Sequence, residues 1–271
     1  MSFSSEIKQE LSAHVPPVRH CRLAEMAAIL NFCSRVESVE GESPCVKMHT
    51  ENLAVARKYF TLLRKTFNIR AEVSVRKSRE VRFYSVIVSK DPEARRLLGE
   101  TCLLDEDGNV SECMSPMHHR LLRQNCCRRA FIRGAFLAVG SVSDPKKSYH
   151  FEIVCTAPEK ARQLQELLAS YDVDAKVVLR KRHYVVYIKE GSQIVELLGL
   201  MGAHISLMQL ENVRIVKEMR NSVNRKVNCE TANLNKTVSA AVRQAEDIRY
   251  IQEKIGLDKL PMDLEETARL R

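Results

Sequence analysis

Phe131-Ile-Arg-Gly-Ala-Phe-Leu-Ala-Val-Gly-Ser-Val142 is the stretch on which the reading of this fold turns. Gly134, Ala135 and Ala138 give a helix a seam of small residues, against which a second helix backbone can lie close. The counterpart run is Met26-Ala-Ala-Ile-Leu-Asn-Phe-Cys-Ser34, where Ala27 and Ala28 supply the same small seam. The two runs predict a pair of helices in contact, each the first helix of a larger repeated unit.

The repeat extends outward from these helices, through stretches about a hundred residues apart. Asn68-Ile-Arg-Ala-Glu-Val-Ser-Val-Arg-Lys77 follows a helical pattern with Ala56, Tyr59, Phe60, Leu63 and Phe67 on one face. Asp172-Val-Asp-Ala-Lys-Val-Val-Leu-Arg-Lys181 follows another, with Leu164, Leu167, Leu168 and Tyr171 aligned. Ala71 pairs with Ala175, Val73 with Val177, Arg76 with Arg180 and Lys77 with Lys181. Each Arg-Lys turn leads into a strand, Tyr84 to Lys90 or Tyr184 to Lys189, and then into a helix carrying Leu-Leu-Gly at 97–99 or 197–199. Upstream, strands at Cys45 to Thr50 and Tyr149 to Thr156 follow the first helices, and Val36 to Val39 and Val142 are placed in short first strands.

Each half therefore reads helix, hairpin, helix, hairpin, helix, an α+β pattern. Two such halves, packed through their first helices, predict a saddle-shaped antiparallel sheet with helices behind it. Alternation turns Ala71, Val73 and Val75 toward the helices and Arg70, Glu72, Ser74 and Arg76 away. In the second half Ala175, Val177 and Leu179 turn in, while Lys176, Val178, Arg180 and Arg182 turn out, which predicts a basic open face.

Composition agrees with a basic globular protein. The 271 residues are 45% hydrophobic and 28% charged, enough for one large or two medium cores, with a formal net charge of +9. With no amphipathic anchor or lipidation motif, that charge favours nucleic acid over membrane as partner. Nine cysteines without a Cys-x-x-Cys pair argue against a disulfide framework or a zinc ribbon and fit reduced thiols in a cytoplasm. No signal-peptide order opens the chain, and no apolar run approaches the roughly 18 residues of a membrane span.

No constellation argues for an enzyme, a metal or a cofactor. His118-His119 with Cys113 and Cys126-Cys127 matches no common zinc spacing, because adjacent histidines point apart. Ser141 and Ser143 lie beside Gly140 without a nucleophile elbow, and no glycine-rich phosphate loop is present. From Asn212 to Thr237 the chain is dense in Asn, Arg and Lys. Arg214, Lys217, Arg220, Arg225 and Lys226 offer phosphate-binding charge, and Asn221, Asn224, Asn228 and Asn233 offer paired donors and acceptors. The same stretch reads equally as a solvated helix followed by a polar linker. Beyond it, Val238 to Ile255 predicts an amphipathic helix capped by Gly256, and Leu260-Pro261 opens another.

Ile132-Arg-Gly-Ala-Phe-Leu-Ala-Val-Gly140 resembles the LAGLIDADG signature of homing endonucleases. In those enzymes the penultimate Asp holds the divalent metal that cleaves DNA. Val139 stands at that position in one half and Cys33 in the other, and neither offers the oxygen a hard cation prefers. Together with Pro145 to Ile153 and the Asn-rich segment, the signature is similar to the WhiA family over essentially the whole chain. That resemblance implies a non-catalytic DNA-binding regulator of sporulation, cell division or chromosome segregation. It also implies a degenerate LAGLIDADG domain followed by a C-terminal helix-turn-helix domain.

On this reading residues 1–110 form the first half, 111–126 a connector, 127–210 the second half, 211–235 a basic linker and 236–271 the start of the helix-turn-helix domain. The recognition helix is expected beyond Arg271, so the chain to that point is read as truncated. The expected contacts with double-stranded DNA, at a promoter or in the nucleoid, are Arg76, Lys77, Arg79 and Arg82, with Arg180, Lys181, Arg182 and His183 in the second half. Arg214, Arg220, Asn224, Arg225, Lys226 and Asn228 extend the list into the linker. Arg-Lys hairpin tips also serve as solubility devices on exposed edges. The alternative is an interaction scaffold or nucleoid-associated protein, whose partner is a protein such as another transcription factor.

Overall fold

A computed structural model describes residues 2–37, 45–78, 81–104 and 120–270. The chain divides into two units, Met1–Arg214 and Ile215–Arg271.

In the first unit α1 (Phe3–Ala13) opens with Ser2 accepting a hydrogen bond from the Ser5 amide. The first half continues through α2 (Arg19–Cys33), β1 (Ser34–Glu37), β2 (Cys45–Thr50), α3 (Leu53–Phe67), β3 (Glu72–Ser78), β4 (Val81–Val88) and α4 (Asp91–Glu100). The second half repeats the order as α5 (Asn125–Val139), β5 (Gly140–Val142), β6 (Phe151–Cys155), α6 (Pro158–Ala169), β7 (Lys176–Arg180), β8 (His183–Ile188) and α7 (Gly191–Met201). Among the described residues the strands form two antiparallel four-stranded sheets, ordered β1-β2-β4-β3 and β5-β6-β8-β7. The expected duplication is present, as two sheets with matching order.

The match reaches single residues. Val73 faces Val86 and Val75 faces Tyr84 in the first sheet, while Val177 faces Val186 and Leu179 faces Tyr184 in the second. Asn68 and Asp172, the equivalent residues after α3 and α6, both adopt left-handed backbone, with φ of 58° and 60°. Asn and Asp tolerate that conformation better than other non-glycine residues, which explains the polar residue at each helix exit. Leu97 and Leu98 of α4 are buried, as are Leu197 and Leu198 of α7.

The halves join through α2 and α5, whose small seam is as tight as the sequence predicts. A Cβ on Gly134 would lie 2.4 Å from the Glu25 carbonyl oxygen and 2.8 Å from Ala28 Cβ, so only glycine fits. Phe136 stacks on Phe151 at 5.4 Å, tying α5 to its own sheet.

Three side chains that linear patterning does not single out cross this joint. Glu25 of α2, fully buried, takes Lys58 of α3 at 3.0 Å and Arg133 of α5 at 3.1 Å. Arg133 also donates to the Met201 carbonyl at 3.1 Å, and the Lys58 amine donates to the carbonyls of Leu11 and His14 at the end of α1. Burial pulls the Lys58 ammonium below the usual lysine range, against the opposing pull of Glu25. The cluster thus binds the ends of α1 and α7 to the helix pair.

Two expectations are corrected. Val73, Val75 and Leu179 lie on the helix side of their sheets yet are 54%, 58% and 60% exposed. β3 and β7 are edge strands, with a neighbouring strand on one side alone. Residues 211–235, expected as a linker, are helical: α8 (His204–Lys254) contains all of them. Its first turn is capped from α1, where the Glu10 carboxylate accepts from the Ile205 amide at 2.7 Å and the Ser206 amide at 3.0 Å.

In the second unit α8 ends before Gly256, whose φ of 84° suits glycine. A single 3₁₀ turn, Leu257–Lys259, then leads to α9 (Met262–Leu270). Ile248 and Ile251 of α8 share a 240 Å³ cavity wall with Leu260 and Leu264. Among the described residues no helix is long and apolar enough to cross a membrane.

Candidate nucleic-acid interface

The face of the first sheet turned away from α3 opens into a groove of about 990 Å³. Its position follows from strand alternation. Val46, Met48, Val86 and Val88 are buried on the helix side, which leaves Lys47, Ser85 and Ile87 on the other. Arg35 of β1, Lys47 and His49 of β2 and Arg76 of β3 line this groove, and Lys160 of α6 closes its far wall. No Asp or Glu is among its described lining residues.

The C-terminal ends of α2 and α5 form the groove's inner border, through Asn31, Cys33 and Val139. Cys33 and Val139 are the positions where the resemblance placed metal-binding acids. The Cys33 thiol donates to the Ile29 carbonyl at 3.1 Å, and burial pushes it up to about 12, so it is a neutral thiol at physiological pH. The Lys8 amine of α1 feels the same buried surroundings and falls to about 8; it lies 5.8 Å over the Phe136 ring. Lys160 donates to the Asn31 carbonyl at 2.9 Å, placing a cation beside the α2 terminus. Val139 offers only methyl groups.

The expected contacts divide between faces. Arg76 shares the groove with Phe83, its cross-strand partner, whereas Lys77 pairs with Arg82 and both occupy the opposite face. Of the expected contacts, Arg76 therefore lies on one face and Lys77 with Arg82 on the other, because consecutive strand residues alternate. Arg79 lies outside the described residues, as do Cys113, His118, His119, Val39 and most of the connector.

In the second sheet Arg180 faces His183 on the open side, but Glu152 of β6 is there too. Glu152 takes Arg180 at 3.6 Å and His150 at 3.1 Å, and accepts from the Ser141 hydroxyl at 3.0 Å. Each open face therefore carries an acid among its bases, Glu152 in the second sheet and Glu72, opposite Ile87, in the first. Lys181 and Arg182 occupy the β7–β8 turn, with Lys181 at a φ of 57°.

On α8, Arg214 is held by Glu211 through two contacts of 2.7 and 3.1 Å. Arg220, Asn224, Arg225, Lys226 and Asn228 are exposed on the second unit, where Asn224, Arg225 and Asn228 share a shallow groove with Asn221 and Glu218. Arg35 lies just before the first strand as the sequence placed it, at Val36 to Val39, and Lys47 and His49 fall within the strand read at Cys45 to Thr50 without a face being assigned to them.

The duplicated sheet-and-helix unit, with its paired small-residue helices, defines a LAGLIDADG-like domain followed by a helical C-terminal segment. Comparison with known proteins agrees. The chain matches the WhiA N-terminal LAGLIDADG-like domain over residues 19–104, the WhiA LAGLIDADG-like domain over 128–220 and the WhiA C-terminal HTH domain over 223–271. It is 52% identical over 276 residues to the "Probable cell division protein WhiA" of Lachnoclostridium phytofermentans, covering 100% of this chain and 87% of that protein. The protein of the same name from Clostridium botulinum strain Eklund 17B is 46% identical over 274 residues, with the same coverage.

The crystal structure of full-length DUF199/WhiA from Thermatoga maritima shares the fold, with a TM-score of 0.70 at 22% identity over 100% of this chain and 86% of that one. That of an N-terminal LAGLIDADG domain of DUF199/WhiA gives 0.58 at 21% identity, over 74% of this chain and 90% of that one. The chain belongs to the WhiA family.

Proposed function

We propose that this protein is a non-catalytic DNA-binding regulator that works in cell division, with sporulation and chromosome segregation as the related processes, in the cytoplasm at the nucleoid. One observation carries the reading: a groove bordered by Arg35, Lys47, His49, Arg76 and Lys160, with no acid among its described lining, meets the helix ends where Cys33 and Val139 replace carboxylates. Closely spaced cations without interleaved acids suit the phosphates of a duplex, whose neutralisation releases condensed counterions. Metal-assisted strand cleavage needs oxygen ligands for a hard cation, and a thiol held neutral, a valine and two nearby amines supply none. The helix-turn-helix match over 223–271 and the names of the relatives support the regulator reading.

The test is binding of a labelled duplex to the chain at rising salt, followed by anisotropy. Each phosphate contact contributes about 0.9 to the slope of log affinity against log salt. Replacing Lys47 and Arg76 together by Glu should lower the affinity and flatten that slope by roughly 2. Unchanged affinity and slope would remove the groove from the contact surface, and nicking of plasmid with magnesium would refute the non-catalytic reading. A scaffold for a protein partner, such as another transcription factor, is favoured by the exposed Val73, Val75, Val177 and Leu179 on the edge strands. On that reading Val75→Asp weakens partner capture and leaves duplex affinity unchanged.

A further inference from the structure

At the opposite end of the α2–α5 pair from the groove, two pairs of adjacent residues meet. His20 and Cys21 occupy the first turn of α2, and Cys126 and Cys127 the first turn of α5. One imidazole nitrogen and three sulfurs all lie within 4.8 Å of one another. His20 Nδ1 is 3.1 Å from Cys127 Sγ, 3.3 Å from Cys21 Sγ and 4.0 Å from Cys126 Sγ. Linear spacing hides this cluster, since each half contributes only a vicinal pair and 107 residues separate His20 from Cys127.

We propose that His20, Cys21, Cys126 and Cys127 form a structural site for a single soft divalent cation of the zinc class, clamping the two halves together. The donor set, one imidazole and three thiolates, is among those that hold structural zinc, and sulfur-rich sites select against magnesium and calcium. Metal–sulfur distances of about 2.3 Å and metal–nitrogen distances of about 2.1 Å put tetrahedral donors roughly 3.6–3.8 Å apart. The separations from Nδ1 bracket that value, and with all four donors within 4.8 Å of one another, closure by at most about 1 Å completes the site.

Without an ion, burial pushes the Cys21 thiol up to about 11, and burial with the neighbouring thiols pushes Cys127 up to about 12, so both are neutral and an ion must displace their protons. Cys126 is exposed and His20 half-buried while Cys21 and Cys127 are buried, so an ion can enter from solvent and end enclosed. On binding, each cysteine releases its proton to solvent and coordinates as thiolate. Four protein ligands leave no open position, so the ion braces the fold and does no chemistry. The proposal is independent of DNA binding: it concerns the end of the helix pair away from the groove.

The experiment uses the full chain, purified under reducing conditions without chelator. Elemental analysis should find one zinc per chain. The stripped chain titrated with cobalt should develop the visible ligand-field bands of tetrahedral thiolate coordination, saturating at one equivalent. At zinc 100-fold above its dissociation constant the melting midpoint should rise by roughly 5–10 °C.

Cys126→Ser, at an exposed position that the fold does not depend on, should bind cobalt at least about tenfold more weakly. His20→Asn should do the same, and Cys229→Ser, on α8, should bind like the parent. A folded chain by circular dichroism that takes up neither metal overturns the proposal. So does full cobalt binding by the His20→Asn, Cys126→Ser double variant, or a disulfide within the cluster after anaerobic alkylation.

Discussion

Replacing Gly134 by Ala tests the joint between the halves most directly. In an isolated helix the change stabilises by about 1 kcal/mol, because alanine loses less backbone freedom than glycine. Here the new methyl group would sit 2.4 Å from the Glu25 carbonyl oxygen and 2.8 Å from Ala28 Cβ. Ordinary contact lies near 3.4 Å, so α2 and α5 must separate by about 1 Å, and neither a carbonyl nor an alanine can rotate aside. Overpacking of this kind costs about 1–3 kcal/mol. Two simultaneous clashes place it at the upper end, leaving a net loss of about 2 kcal/mol after the helix gain.

Separation would also pull Arg133 from Glu25, since both ends of that ion pair ride on the same two helices. Gly99→Ala is the matched control. Gly99 lies in α4 with nothing within 4 Å of its would-be Cβ, and should be neutral to stabilising by up to about 1 kcal/mol. Urea unfolding followed by circular dichroism compares the two, and the melting midpoint of Gly134→Ala should fall by about 4–8 °C. If Gly134→Ala is as stable as the parent, the close helix approach is not what holds the halves together.

Other outcomes follow from the buried and paired charges. Glu25→Gln leaves Lys58 and Arg133 without their anion and should cost about 3–5 kcal/mol in urea unfolding, part of which Lys58→Met on the same background should restore. Lys8 has a folded pKa of about 8 against an ordinary 10.5, so the unfolded chain holds that proton more tightly and burial penalises the fold. The penalty, at most about 3 kcal/mol, is complete below pH 8 and fades toward pH 10.5. Lys8→Met should therefore stabilise at pH 7 and lose that advantage by pH 10.5; an advantage independent of pH would assign it to packing instead. Arg180→Ala should flatten the salt dependence of duplex binding less than Arg76→Ala, because Glu152 already faces Arg180 at 3.6 Å.

Much of the architecture is legible along the chain because it repeats. The doubled strand-helix pattern, the Leu-Leu-Gly helices, the small seam at Gly134 and the loss of acids at Cys33 and Val139 are all local facts of residue type and spacing. The polar residue at each helix exit, Asn68 or Asp172, is another, because left-handed backbone selects it. Alternation also separates Arg76 from Lys77, once it is applied residue by residue and not to the Arg-Lys pair as a unit.

What periodicity could not supply are meetings between elements. Lys58 sits among the charged residues of α3 and reads as solvated, yet it is buried because α1 ends over it and Glu25 of α2 faces it. Val73 and Val75 read as core, yet they are exposed because β3 is an edge strand. His20 and Cys21 carry no recognisable spacing to Cys126 and Cys127, and only the approach of α2 to α5 gathers them. A residue pattern records which face of its own helix or strand a side chain occupies. Which foreign side chain lies opposite depends on how the elements pack, and tertiary structure alone decides that.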